Sequence, residues 1–137
     1  MIAVDGRVLL LQRADGHGAL FWDLPGGRIE AGEQLEQPLR RELREELPSI
    51  ARVAVGELLH AAPVPAFAGR ETGLLLLYYH VRAEVPRVVL SAEHVGYTWA
   101  GSEDLPAIAR GEGGVAILAG TLRAMALVLR GVAASPG

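Results

Sequence analysis

The chain has 137 residues, a net charge of −3 and no cysteine. Its length suits one domain, and its 50% hydrophobic content is enough for a sizeable core, so we expect one domain over residues 1–132 and a short flexible tail over 133–137. The acidic balance argues against nucleic acid polymers as partners, and the lack of cysteine excludes disulfides and thiolate metal sites. Without a signal peptide or membrane span, the sequence predicts a soluble cytoplasmic protein.

The first elements are predicted from a turn signal. Two apolar runs, residues 2–4 and 7–13, flank Asp5-Gly6, a dipeptide that accommodates the positive φ angles of a type I′ turn. An antiparallel hairpin is therefore expected. Residues 14–23 are rich in glycine and are predicted to form a loop that ends at Phe21-Trp22.

A helix is predicted next, bounded by two prolines. Pro38 is tolerated only in a first turn, so the helix should begin around Glu36 or Gln37. Pro48 disfavours helical geometry in the residue before it, so the helix should end near Glu46. An apolar stripe at steps of four faces the core, formed by Leu35, Leu39, Leu43 and Leu47.

The rest of the chain alternates between strands and helices. Residues 51–61, 72–85 and 95–100 are predicted strands, and a short helix capped near Ser102 should run through Arg110. Residues 115–130 are almost all apolar and are predicted to form a helix buried by this domain or by a second copy, which makes a homodimer one expectation. The order predicts an α/β fold with a mixed sheet packed between helices.

Three carboxylates on the first helix indicate a cation site. Glu42, Glu45 and Glu46 lie at i, i+3 and i+4, on one side of the helix, where like charges destabilise each other. Glu46 falls ~20° from Leu39 on the helical wheel, inside the apolar stripe, where an unpaired carboxylate costs several kcal/mol. Oxygen ligands select hard cations, so Mg²⁺ or Mn²⁺ is expected.

The alternative to a cation site is an exposed helix whose acids are balanced by Arg40, Arg41 and Arg44.

The spacing of these residues resembles a known signature. Five residues separate Gly27 from Glu33, and seven more separate Glu33 from Arg41-Glu42-Leu43, which is followed after one residue by Glu45-Glu46. This pattern resembles the motif of the Nudix hydrolases, which cleave nucleoside diphosphates linked to another moiety. The chain departs from the motif at its end, where Pro48 and Ser49 replace glycine and an apolar residue. The resemblance implies a Nudix-like α/β/α sandwich and hydrolysis of a phosphoanhydride bond.

The resemblance also implies roles within the motif. Glu45, Glu46 and Arg41 would serve catalysis, with Arg41 orienting the acids through ion pairs. Gly27 and Glu33 would support the site. The metal ligands would be Glu42, Glu45, Glu46 and the backbone carbonyl of Gly26.

Outside the motif the candidates are fewer. Glu93 lies where many relatives carry a glutamate that acts as a base or extra ligand, and His94 is an alternative base. Phosphate contacts are predicted for Arg13, Arg28 and Arg70. Aromatic residues, Trp22 among them, are candidates for stacking on a nucleobase.

The predicted substrate is a small nucleotide: a nucleoside triphosphate, nucleotide sugar, ADP-ribose or dinucleoside polyphosphate. The products would be a nucleoside monophosphate and a phosphorylated remainder, or pyrophosphate. An alternative function is a nucleotide-binding sensor or regulator that keeps the fold but has little turnover.

Overall fold

The structure is organised around one central strand, β2 (Arg7–Ala14). The computed structural model describes residues 1–64 and 73–134. Four consecutive β2 residues, from Val8 to Leu11, are fully buried, because both faces of this strand are covered. Strand β1 (Ala3–Val4) pairs with β2 across the turn at Asp5 and Gly6, whose φ angles are 49° and 73°. The predicted hairpin and its positive-φ turn are confirmed.

The remaining strands form a mixed sheet and a separate antiparallel pair. On β2, β3 (Leu20–Asp23) and β6 (Gly96–Ala100) pair antiparallel, whereas β7 (Val115–Ile117) joins β3 in parallel. The long strands β4 (Ala51–Val64) and β5 (Leu74–Glu84) pair with each other. A bridge between Ile2 and Val81 connects this pair to the main sheet, and the Met1 carbonyl accepts the Val81 N–H at 2.8 Å.

Helices cover both faces of the sheet. Leu9 and Leu11 of β2 pack with Leu43 of α1 (Glu36–Glu46) and with Leu47 just after it. Val8 and Leu10, on the opposite face, belong to a second cluster that includes Ala124, Met125, Val128 and Leu129 of α3 (Ala119–Ala134). Alternate β2 side chains thus serve different cores, as strand geometry requires. The predicted mixed sheet between helices is confirmed.

Helix α1 has the predicted bounds, and two of the four leucines in its apolar stripe are buried. It begins at Glu36 and ends at Glu46, with Pro38 buried in its first turn. Leu43 and Leu47 are buried, but Leu35, before the helix, remains 36% exposed. After Pro48 the Ser49 hydroxyl donates to the Arg87 carbonyl, so the unusual end of the motif ties this exit to a distant loop.

Two predicted elements were wrong. Residues 14–23 are not all loop, since β3 occupies Leu20–Asp23 and pairs with β2. The predicted helix over residues 115–130 begins only at Ala119, because Val115–Ile117 form β7 beside β3. An apolar run of this kind suits a buried strand as well as a buried helix, and only the pairing partner decides.

The short helix is confirmed as α2 (Leu105–Ala109), preceded by a 3₁₀ turn at Ser102–Asp104. In the described part of the chain, none of the helices combines the length and the apolar character needed to cross a bilayer.

Candidate active site

Glu46 is the centre of the candidate site. Its side chain is 5% exposed, Oε2 accepts the Gly26 N–H at 2.8 Å, and Oε1 lies 3.8 Å from Nη2 of Arg13. Burial raises the pKa of Glu46 to about 7, and the nearby acids Asp23 and Glu42 act in the same direction. The Gly26 N–H and Arg13 oppose this rise without cancelling it. Removing the Glu46 carboxylate from water therefore raises its pKa by more than the Gly26 N–H and Arg13 lower it. An added positive charge beside Glu46 would stabilise the ionised carboxylate.

Glu42 lies one turn before Glu46 and rests against the glycine loop. A Cβ at Gly27 would overlap the Glu42 side chain, so a side chain there would displace the carboxylate. This is the close approach for which the motif needs glycine. Glu45, between the two, is exposed on the helix surface.

Arg41 links the two ends of the motif. Its Nη1 binds Glu33 Oε1, and its Nη2 lies 3.6 Å from Glu42. The second oxygen of Glu33 accepts the Glu30 N–H at 2.8 Å. The Arg41 hydrogen bond, assisted by this N–H, lowers the pKa of Glu33, and Glu33 in turn raises the pKa of Arg41. Arg41 therefore contacts both Glu33 and Glu42.

Arg13 lies among three acids rather than in open space. Its Nη2 is 3.3 Å from Glu93 Oε2 and 3.8 Å from Glu46, and its Nε is 3.9 Å from Asp23 Oδ2.

Asp23 is a site residue that was not predicted from the sequence. In the sequence, Asp23 is an acidic residue directly after the apolar residues Leu20-Phe21-Trp22. This position points to the site only when the pairing of β3 with β2 is known.

Glu93 and His94 lie on the loop before β6. Glu93 is largely exposed apart from its contact with Arg13. His94 is buried, with 7% exposure, and its Nδ1 lies 3.4 Å from Ser91 Oγ. Burial lowers the pKa of His94, and Arg13 adds to this effect.

A cleft of about 500 Å³ lies beside these residues. Arg13, Asp23 and the loop from Gly26 to Arg28 line it, together with apolar side chains of β5 and α1. Two of the three predicted phosphate contacts, Arg13 and Arg28, therefore border the same space. Arg70 lies outside the described residues.

Trp22 does not share this cleft. Residues of β3 alternate, so Trp22, paired with Gln12, faces the α3 side, whereas Asp23 faces the α1 side. Trp22 packs against the cluster of Val8 and Leu10 and lines a separate cleft of about 180 Å³ with Thr98 and Asp104. Trp22 and Arg13 therefore line different clefts, and the stacking role of Trp22 stays a prediction.

The residues of the motif fit a hard divalent cation by their chemistry. The glutamates and the Gly26 carbonyl offer oxygen atoms as metal ligands. The negative charge of the buried Glu46 carboxylate is only partly balanced by its neighbours. Among residues 1–64 and 73–134, no three acidic or histidine side chains already converge as a metal-binding group. Glu42, Glu46 and the Gly26 carbonyl, with the exposed Glu45, are the groups that would hold such an ion.

Comparison with known proteins gives consistent results. A family model described as the NUDIX domain matches residues 1–117. The nucleoside triphosphatase NudI of Escherichia coli is 31% identical over 113 residues, which cover 77% of this chain and 80% of that protein.

Solved structures show the same similarity. The Escherichia coli ORF135 protein aligns with a TM-score of 0.64 and 26% identity, over 100% of this chain and 89% of that chain. A MutT NUDIX hydrolase from Burkholderia pseudomallei aligns with a TM-score of 0.63 and 28% identity, over 93% and 92%. An Ap4A hydrolase from C. elegans, at 22% identity, shares the fold with a TM-score of 0.70 over 98% and 93%.

Proposed function

The chain belongs to the Nudix hydrolase family, and on this premise we propose that it hydrolyses a phosphoanhydride bond of a nucleoside diphosphate derivative with Mg²⁺ or Mn²⁺. The observation that supports this proposal most strongly is the Glu46 carboxylate, which is buried and yet only partly neutralised. A structural role alone does not explain a glutamate at this position, because burying the charge costs stability. Binding of a cation does explain it.

Each acid has a distinct part in this proposal. Glu42, Glu45, Glu46 and the Gly26 carbonyl hold the metal, which when bound neutralises charge on the phosphates and activates a water. Gly27 allows Glu42 to lie against the loop, and Glu33 holds Arg41, which orients Glu42. Glu93 receives the proton of the attacking water at its exposed carboxylate.

The substrate binds in the cleft of about 500 Å³. Arg13 and Arg28 contact phosphate oxygens, since both arginines line this space and guanidinium groups pair well with oxyanions. The apolar side chains of β5 and α1 accommodate the nucleoside. Nucleoside triphosphates are the first substrates to test, because the relative NudI is named a nucleoside triphosphatase.

The test is incubation of the purified protein with nucleoside triphosphates, nucleotide sugars, ADP-ribose and dinucleoside polyphosphates in Mg²⁺ or Mn²⁺. We expect a nucleoside monophosphate and pyrophosphate from a triphosphate, separated by ion-exchange chromatography, and no product after chelation. Folded protein that binds a nucleotide tightly without cleaving it would instead support the sensor alternative.

The proposal also covers the domain organisation, the location, the class of substrate and the assembly of the protein. Residues 1–132 form a single catalytic domain in a cytoplasmic protein that acts on small nucleotides rather than on polymers. A homodimer forms through α3, where Leu127 is 46% exposed. Light scattering across a concentration range tests the dimer, and a monomer at every concentration would reject it.

A further inference from the structure

We propose that His94 is a positioning residue for Arg13: its neutral ring accepts a hydrogen bond from Arg13 Nε and so aims the guanidinium into the cleft. This inference rests on the proposed function in one respect, namely that Arg13 contacts substrate phosphate. The hydrogen bond itself can be tested without any substrate.

Two buried nitrogen atoms carry the inference. Arg13 Nε and His94 Nε2 are both inaccessible to water, and neither has a hydrogen-bond partner among the described residues. A buried polar atom without a partner destabilises the fold, so two such atoms in neighbouring side chains form an unstable arrangement unless they pair. Arginine Nε can only donate, whereas Nε2 of a neutral histidine can accept. The two atoms therefore complement each other.

The backbone holds the two side chains as neighbours. The Val95 N–H donates to the Gln12 carbonyl at 2.8 Å, which joins the residue after His94 to the residue before Arg13. The His94 N–H donates to the Ser91 carbonyl at 3.3 Å and closes the turn. The side chains of Arg13 and His94 are thus close enough for the charge of Arg13 to act on the His94 ring.

The surroundings of His94 favour the neutral ring with its proton on Nδ1. Arg13, Asp23 and Glu93 are the charged groups whose fields reach the ring, and burial together with Arg13 disfavours a second positive charge. Ser91 Oγ lies 3.4 Å from Nδ1 and can accept that proton, which leaves Nε2 as the acceptor.

Asp23 does not replace His94 as the partner of Nε. Its Oδ2 is 3.9 Å from Nε, beyond hydrogen-bond distance, and its Oδ1 accepts the Leu24 N–H at 2.8 Å. With Nε held by His94, the terminal nitrogens of Arg13 remain directed at Glu93, Glu46 and the cleft. His94 thus acts on substrate through Arg13 and does not touch it.

The kinetic test compares His94→Leu, which fills space but accepts no hydrogen bond, with His94→Gln, which retains an acceptor. For the best nucleotide substrate we expect KM to rise roughly tenfold in His94→Leu, with a smaller change in kcat, and to recover in His94→Gln. In an Arg13→Gln background, His94→Leu should add no further change in KM. His17→Gln, in an exposed turn, is the control and should match wild type. An unchanged KM in His94→Leu, or additive effects in the double variant, would overturn the inference.

A second measurement does not need activity. ¹⁵N NMR at neutral pH should show the His94 ring protonated on Nδ1 only, and slow solvent exchange of the Arg13 Nε–H that is lost in His94→Leu but kept in His94→Gln. Equal exchange in wild type and His94→Leu overturns the pairing even if the enzyme is active. Failure of the wild-type protein to cleave any nucleotide overturns the proposed function instead, while the NMR result still decides the pairing.

Discussion

Arg13 and Glu46 form a long ion pair between the end of β2 and the end of α1, with 3.8 Å between Nη2 and Oε1. A cation this close would ordinarily lower the pKa of a carboxyl group, yet the pKa of Glu46 is raised to about 7. Burial therefore exceeds the effect of the ion pair. Arg13 also forms ion pairs with Glu93 and Asp23, so its charge does not act on Glu46 alone.

The raised pKa of Glu46 predicts how the stability of the metal-free protein depends on pH. The folded protein holds this proton more tightly than the unfolded chain, whose glutamate titrates near 4.5. The stability due to Glu46 is thus present below pH 4.5 and is lost as pH rises through about 7, by up to roughly 3 kcal/mol. Urea unfolding in chelator between pH 5 and 8 should show Glu46→Gln gaining stability over wild type as pH rises. A constant difference across this range would contradict the assignment.

Replacing Glu45 or Glu46 by glutamine should have similar effects on activity but different effects on stability. Both Glu→Gln variants should lose turnover by about a hundredfold or more, because each removes a proposed ligand. Only Glu46→Gln should stabilise the metal-free protein at pH 8, by about 1–3 kcal/mol, since Glu46 is buried and Glu45 is exposed. Kinetics and denaturation on the same samples check this. Wild-type turnover in either variant would refute its role as a ligand.

Gly27→Ala should damage the site by moving Glu42. The added methyl group overlaps the Glu42 side chain, so we expect weaker Mn²⁺ binding by calorimetry and roughly 10–100-fold lower activity. Gly16→Ala is the matched control, because a Cβ at Gly16 meets nothing within 4 Å. Similar Mn²⁺ affinities in the two variants would show that contact with Gly27 does not position Glu42.

Arg41→Lys should impair activity more than stability. Lysine keeps the charge but loses the planar group that reaches both Glu33 and Glu42, so activity should fall roughly 10–100-fold. These ion pairs are screened by solvent, so stability should change little. Arg44→Lys, on the exposed surface of the same helix, should leave both properties unchanged. Equal activity of the two variants would argue against an orienting role for Arg41.

Local rules were enough to predict the helix that carries the acids. Pro38 and Pro48 restrict the backbone wherever they occur, so the bounds Glu36 and Glu46 could be predicted without knowledge of the fold. The burial of Glu46 likewise followed from helical periodicity, because the neighbouring leucines mark the core face.

Features that depend on strand pairing could not be predicted in this way. Strands β3 and β7 are short and support each other in parallel, so neither has a clear signal of its own. The register of β3 on β2 places Trp22 and Asp23 on opposite faces, and without this register the sequence did not show that Asp23 lies beside Arg13. The cluster of three acids around Arg13 joins residues that are distant in the sequence.

Side chains of β2 alternate between the two faces of the sheet, so the direction of Arg13 depends on the same register as both hydrophobic cores. Because side chains repeat every two residues, a slip of one position along its neighbours would turn Arg13 toward α3 and Val8 and Leu10 toward α1. Both hydrophobic cores would then be mispacked, so the same slip that removes Arg13 from the site would also destabilise the fold. The tight turn at Asp5 and Gly6, which touches no proposed ligand, helps to set this alignment. A change in this turn should therefore disturb the site although the turn lies apart from it.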